Sequence, residues 1–64
     1  MALGQKVAYY RERKGLSQAA LGERAGVSQA AICQIETGQT KPRLTTVFRI
    51  AEALGVDVSE LFAS

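Results

Sequence analysis

Histidine is absent from this chain of 64 residues, and cysteine occurs once, at Cys33. Those two shortages exclude much. A lone cysteine forms no disulfide framework, Cys/His zinc sites have too few ligands, and a His-based catalytic triad has no base. No paired-carboxylate pattern stands in for them, so enzymatic chemistry and a metal or other cofactor are not expected. The longest apolar stretches are far too short to cross a bilayer, and nothing at the N-terminus resembles a signal peptide, so the expected compartment is the cytoplasm with no membrane partner. A chain this short also buries a modest fraction of its surface, which favours one small, locally connected domain over residues 1–64 and leaves little room for a large cleft.

Net charge is only +2, but its distribution is uneven. All eight basic residues (Lys6, Arg11, Arg13, Lys14, Arg24, Lys41, Arg43 and Arg49) lie between Met1 and Arg49 against three acids, Glu12, Glu23 and Glu36. The remaining tail carries Glu52, Asp57 and Glu60 and no base. Charge polarised in this way suggests one face built for a polyanion, although a solvated surface gives the same count.

Gly15, Gly26, Gly38, Pro42 and Gly55 punctuate the chain into five short segments. The first carries Leu3, Val7, Tyr10 and Arg11 on one helical stripe and ends before Gly15 in a C-cap position. Ser17 then caps a second helix, with Leu16 and Leu21 as its hydrophobic staple; eleven residues later Ser28 repeats the device with Val27 and Ile32. Only Ala25-Gly26-Val27 separates the two helices, so the chain must turn sharply there, with Gly26 supplying the left-handed backbone. Gly22, inside the second helix, is expected to cost roughly 0.5–1 kcal/mol relative to alanine. Behind Pro42, read as a helix-starting residue, Leu44, Val47, Ile50, Ala51 and Leu54 keep helical spacing from Leu44 to Leu54. A last turn follows over Asp57–Phe62, where Asp57 and Glu60 have capping-box spacing and Leu61 and Phe62 can close the core. No run alternates as a strand would. The expected class is all-α, packed around Val7, Leu21, Ile32, Ile35, Val47, Ile50 and Leu54.

If Ile32 and Ile35 face inward, then Gln29, Ala30, Cys33 and Gln34 face outward. A glutamine amide both donates and accepts, as the N6/N7 edge of adenine requires in the major groove, while Ala30 and Cys33 suit a thymine methyl. A solvated amide or an inert thiol is the plain alternative. The acid-free segment Thr37-Gly38-Gln39-Thr40-Lys41-Pro42-Arg43 ends in two cations and suits phosphate. Glu36, four residues beyond Ile32, borders the apolar side together with Arg11, so the two opposite charges are expected to pair.

The ordered set Gly15-Leu16-Ser17-Gln18, Leu21, Gly26-Val27-Ser28, Ile32, Ile35-Glu36-Thr37-Gly38, Pro42 and Ala53-Leu54-Gly55-Val56 resembles the phage-repressor and Cro-like helix-turn-helix domains, the XRE family. The resemblance spans Leu3 to Phe62. It implies a five-helix lambda-repressor-like bundle whose second and third helices, within 18–36, form the helix-turn-helix. Ser28 to Glu36 would then be the helix entering the major groove of double-stranded DNA, with Gln29, Ala30, Cys33 and Gln34 reading bases. Phosphate contacts would fall to Gln18, Ser28, Thr37, Gln39, Lys41 and Arg43, with Arg11 and, less directly, Arg13 and Lys14 beside them. The same resemblance implies a fixed Arg11–Glu36 ion pair. The function implied is a sequence-specific transcriptional regulator, a repressor binding a palindromic operator as a homodimer. An antitoxin, a restriction-modification controller and a protein-interaction module that never binds DNA remain open. Val56, Val58, Leu61 and Phe62 serve equally as dimer interface or as core.

Overall fold

The computed structural model describes residues 2–62 as five helices: α1 (Leu3–Arg13), α2 (Gln18–Ala25), α3 (Gln29–Glu36), α4 (Leu44–Leu54) and α5 (Val58–Phe62), with no strand among the described residues. The two serine caps set where α2 and α3 begin. Ser17 Oγ accepts from the Ala20 amide and Ser28 Oγ from the Ala31 amide, each at 3.0 Å, which satisfies one donor that a helix start leaves free. Between them Gly26 has φ +75°, and the Val27 amide reaches back to the Gly22 carbonyl at 2.9 Å. A side chain at Gly26 meets no neighbour, so its cost is backbone strain alone. Gly26→Ala should therefore lose about 1–2 kcal/mol, measured as a lower melting temperature.

The inward faces meet in one core. Val7, Leu21, Ile32, Val47, Ile50 and Leu54 are essentially inaccessible and Ile35 is buried with them, joined by Ala25, Ala51 and Leu61. Helix α2 packs on both α3 and α4, α1 lies against α3 and α5, and α5 closes the open end between α1 and α4.

Several details differ from the sequence expectation. Pro42 does not start α4 from within; it precedes the extended N-cap residue Arg43, which makes no side-chain cap. Lys14 is the C-cap of α1, and Gly15 follows it at φ +70°. The Asp57/Glu60 capping box does not form. Asp57 instead accepts from the Ser59 amide at 2.8 Å, a bond that holds its carboxyl below the ordinary range, while Glu60 accepts the Tyr10 hydroxyl at 2.7 Å and so ties α5 to α1. The phenol, donating to a carboxylate, titrates above its usual value. Only Leu61 closes the core. Phe62, one residue on and therefore about 100° around the helix, is 55% exposed.

Candidate nucleic-acid interface

Helix α3 is held from below by Ile32 and Ile35, which turns Gln29, Ala30 and Gln34 to solvent and leaves Cys33 half-buried beside them as a free thiol. This outward surface is polar but uncharged. The one carboxylate of the helix, Glu36, is drawn away from it: Oε2 lies 2.7 Å from Arg11 Nε, and Oε1 accepts from Arg11 Nη2 at 3.2 Å and from Gln18 Nε2 at 3.0 Å. Arg11 donates a further bond from Nη1 to the Leu16 carbonyl at 2.7 Å. One network thus fastens the C-terminal turn of α3 to α1, to the α1–α2 connection and to the start of α2. Its charged side chains are nearly dry, 13% exposed for Arg11 and 6% for Glu36. Hydrogen bonding to Glu36 raises the Arg11 guanidinium further above its ordinary range, so the cation is permanent. A bidentate, charge-assisted pair of this kind fixes orientation as well as distance.

The structure separates the expected phosphate contacts into two groups. Lys41 and Arg43 are exposed in the segment after α3, and Gln39 is exposed with them. That segment leaves the helix through Gly38 at φ +78°, where the Gly38 and Gln39 amides return to the Ile35 and Gln34 carbonyls. Thr37 spends its hydroxyl proton on the Cys33 carbonyl at 2.9 Å, and Ser28 uses its oxygen as a cap but keeps its proton free to donate. Gln18 stands at the first position of α2 with one amide N–H committed to Glu36. Arg11 belongs to the anchor, with its donor nitrogens turned inward. Arg13 stacks over the Tyr9 ring at 5.3 Å, and Lys14 Nζ sits beside Gly55 at the C-terminal end of α4.

Two glycines set how close the helices come, and only one drew notice in the sequence. A Cβ on Gly22 would stand 2.6 Å from the Val27 carbonyl oxygen, so the residue expected merely to weaken α2 lets that helix pack on the turn leading into α3. A Cβ on Gly4 would run into the Ile35 carbonyl oxygen and lie 2.8 Å from that of Glu36. Gly4 is buried and seats α1 on the last turn of α3. The signal for it was faint: one small residue inside an otherwise ordinary helical stripe.

No group of His, Cys, Asp and Glu among the described residues could hold a metal ion, and none of the described helices is long and apolar enough to cross a membrane.

A helix-turn-helix family model matches residues 7–61. The chain is 39% identical over 57 residues to an uncharacterised HTH-type transcriptional regulator of Methanocaldococcus jannaschii, covering 89% of this chain and 86% of that protein. It is 34% identical over 61 residues to the immunity repressor protein of Bacillus phage phi105; there the match covers 95% of this chain but only 42% of the relative's length. Among solved structures, the P22 c2 repressor in complex with a synthetic operator superposes with a TM-score of 0.89 at 31% identity, over 95% of this chain and 92% of that one. Family model, relatives and fold agree, and the chain belongs to the XRE-type helix-turn-helix family of DNA-binding transcriptional regulators.

Proposed function

We propose that residues 1–64 act as one cytoplasmic DNA-binding domain that places α3 in the major groove and represses transcription from a palindromic operator, two copies binding together. The observation that carries this reading is the outward face of α3: amides and small groups, with its only carboxylate tied back by Arg11 and with Lys41 and Arg43 following. Gln29, Ala30, Cys33 and Gln34 supply the base contacts. The cations after α3, the free backbone amides at the start of α2 and the Ser28 hydroxyl hold the flanking phosphates. Four side chains reach too few base pairs to define a site alone, and two-fold pairing sets half-sites roughly 34 Å apart. Repression is supported by the similarity to the phi105 immunity repressor and the P22 c2 repressor.

Selection of bound duplexes from a random pool, followed by salt titration, tests the reading. A two-fold-symmetric site should be enriched. With Lys41 and Arg43 contributed twice, the logarithm of affinity should fall with the logarithm of salt at a slope of roughly −3 to −4. Gln29→Ala should relax preference at one base pair in each half-site by about 1–3 kcal/mol, whereas Lys41→Ala should weaken all sequences alike and flatten the salt slope. Absence of any salt-dependent duplex binding would favour a protein-interaction module instead. For repression, a reporter carrying the selected site across its promoter should fall in output when the chain is expressed.

A further inference from the structure

Among the described residues the large apolar side chains left exposed are Leu44 and Phe48 on the outer side of α4, Phe62 at the end of α5, and Tyr9, 43% exposed, on α1. Tyr9 differs from the others in being held. The Tyr10 ring meets it in a T-shaped contact with centroids 5.1 Å apart, and Arg13 lies over it at 5.3 Å. Tyr10 is itself tied down by its hydroxyl bond to Glu60. Lys6 stands one turn before Tyr9 and Arg13 one turn after it, so the three share one stripe of α1 about 10 Å long. The charges on and beside this stripe are unequally committed. Glu12 lies 3.7 Å from Arg11, and Glu60 accepts the Tyr10 hydroxyl. Neither Lys6 nor Arg13 belongs to an ion pair among the described residues; the salt bridges there involve Arg11, Glu12 and Glu36.

We propose that the Lys6–Tyr9–Arg13 stripe of α1 is a docking site for an acidic segment of another protein, one that offers two carboxylates about 10 Å apart with an apolar side chain between them. Charge complementarity selects this occupant. The two free charges of the stripe are both positive, the Arg13 guanidinium suits a bidentate carboxylate, and Tyr9 between them gives the apolar side chain a ring to rest on. Tyrosine and arginine are also residue types in which interface binding energy concentrates. Because Tyr10 and Arg13 already fix the Tyr9 ring, little side-chain freedom is lost on docking. Position keeps the stripe apart from the duplex. Gly4 marks the side of α1 that is seated on α3, and Tyr9, five residues on, stands about 140° around the helix from it. DNA held by α3 therefore does not reach Tyr9, which disfavours a nucleic acid as the occupant. A chain seated on its operator can carry the partner at the same time, although docking of this kind needs no DNA. The stripe offers only a handful of side chains, well short of the roughly 800 Å² per partner of stable complexes, so the contact is weak and reversible.

Display of random short peptides against the immobilised chain tests this without DNA. The retained peptides should carry two Asp or Glu residues flanking an apolar or aromatic one, and a synthesised member should bind the natural chain more weakly as salt rises. Tyr9→Ala and Arg13→Glu should each lose roughly tenfold or more in affinity for that peptide, with melting curves close to the natural one. Of the two versions of the peptide with a single acid replaced by lysine, one should bind Arg13→Glu better than it binds the natural chain. A folding defect cannot produce that swap of preference. A duplex selected from a random pool should not displace the peptide, and it should bind Tyr9→Ala as well as the natural chain. No enrichment, or retained peptides that bind Tyr9→Ala as tightly as the natural chain, would overturn the docking site. Retained peptides that need Tyr9 but carry no acid would overturn the acidic class of partner. A duplex affinity that falls tenfold in Tyr9→Ala would give the stripe to nucleic acid instead. Peptide binding and swap as described, with no duplex binding at any salt, would uphold the docking site and overturn the DNA reading.

Discussion

Glu36→Ala should cost about 3–5 kcal/mol, because it leaves the Arg11 guanidinium in a nearly dry site with only the exposed Glu12 carboxylate, 3.7 Å from Nη2, as counter-charge. Stability near 0.05–0.15 kcal/mol per residue gives a chain of this length roughly 3–10 kcal/mol in total, so the loss is a large share of what holds the fold together. For a domain of this size each kcal/mol lowers the melting temperature by about 4–8 °C, and a fall of tens of degrees is the expected reading. Three donors lose their acceptor at once: Arg11 Nε, Arg11 Nη2 and Gln18 Nε2. Much of the penalty comes from a cation that keeps only this longer, solvent-exposed partner, and this gives the experiment its internal check. Adding Arg11→Met to Glu36→Ala should recover part of the lost stability, since the buried charge is then gone, and the double-mutant cycle should show coupling well above the few tenths expected of independent sites. Glu36→Gln, which keeps the shape and some of the hydrogen bonds, should lose less than Glu36→Ala. Duplex binding should suffer beyond the loss of folded protein, because α3 loses the contact that fixes its last turn. An unchanged melting temperature in Glu36→Ala would remove the anchor from this account.

Much of this design is legible in the sequence, and the reasons are local. Ser17, Ser28, Gly26 and Gly38 act on the backbone within a few residues of themselves, so their types and spacing suffice to bound α2 and α3. The inward set Leu21, Ile32 and Ile35 follows from helical period alone. Arg11 and Glu36 stand out because each is a charge at the border of an apolar stripe, and in the structure they meet at 2.7 Å. What escapes the sequence is decided between distant segments. Glu60 has the spacing of a capping residue, but the Tyr10 hydroxyl, fifty positions away, claims its carboxylate. In a helix of five residues the period is too short to say which of Leu61 and Phe62 turns inward. Gln18 reads as a phosphate contact from its place at a helix start, yet the fold also makes it a donor to Glu36. The exposed side of α4 is equally hidden, because Phe48 in isolation is as good a core residue as Val47.

Gly4→Ala gives the sharpest test of how α1 positions α3, because here the sign of the effect decides. Judged from the helix alone, replacing glycine by alanine is favourable by roughly 0.5–1 kcal/mol. Gly4 is near the start of α1, where the Gln5 side chain already reaches back to the Ala2 amide at 2.9 Å, and nothing local forbids a methyl group. The tertiary contact does forbid it. The added carbon would meet the carbonyls of Ile35 and Glu36, which are backbone and cannot rotate aside. Either α1 must lift or the last turn of α3 must move, and overpacking of this kind costs typically 1–3 kcal/mol, enough to outweigh the helical gain. Alanine should therefore destabilise the chain, and Gly4→Val, with more bulk on the same vector, should do so more strongly. The damage should also be directional. Glu36, whose carbonyl is struck, is the residue that Arg11 and Gln18 grip, so a displaced α1 loosens that network from its other end. Gly4→Ala and Glu36→Ala should then be less than additive when combined, since both release the same turn of α3. Base preference near Gln34, in that turn, should soften before preference near Gln29 at the other end of the helix. A chain made more stable by Gly4→Ala would show that α1 has room to shift, and that its close seat on α3 is not what holds that helix in place.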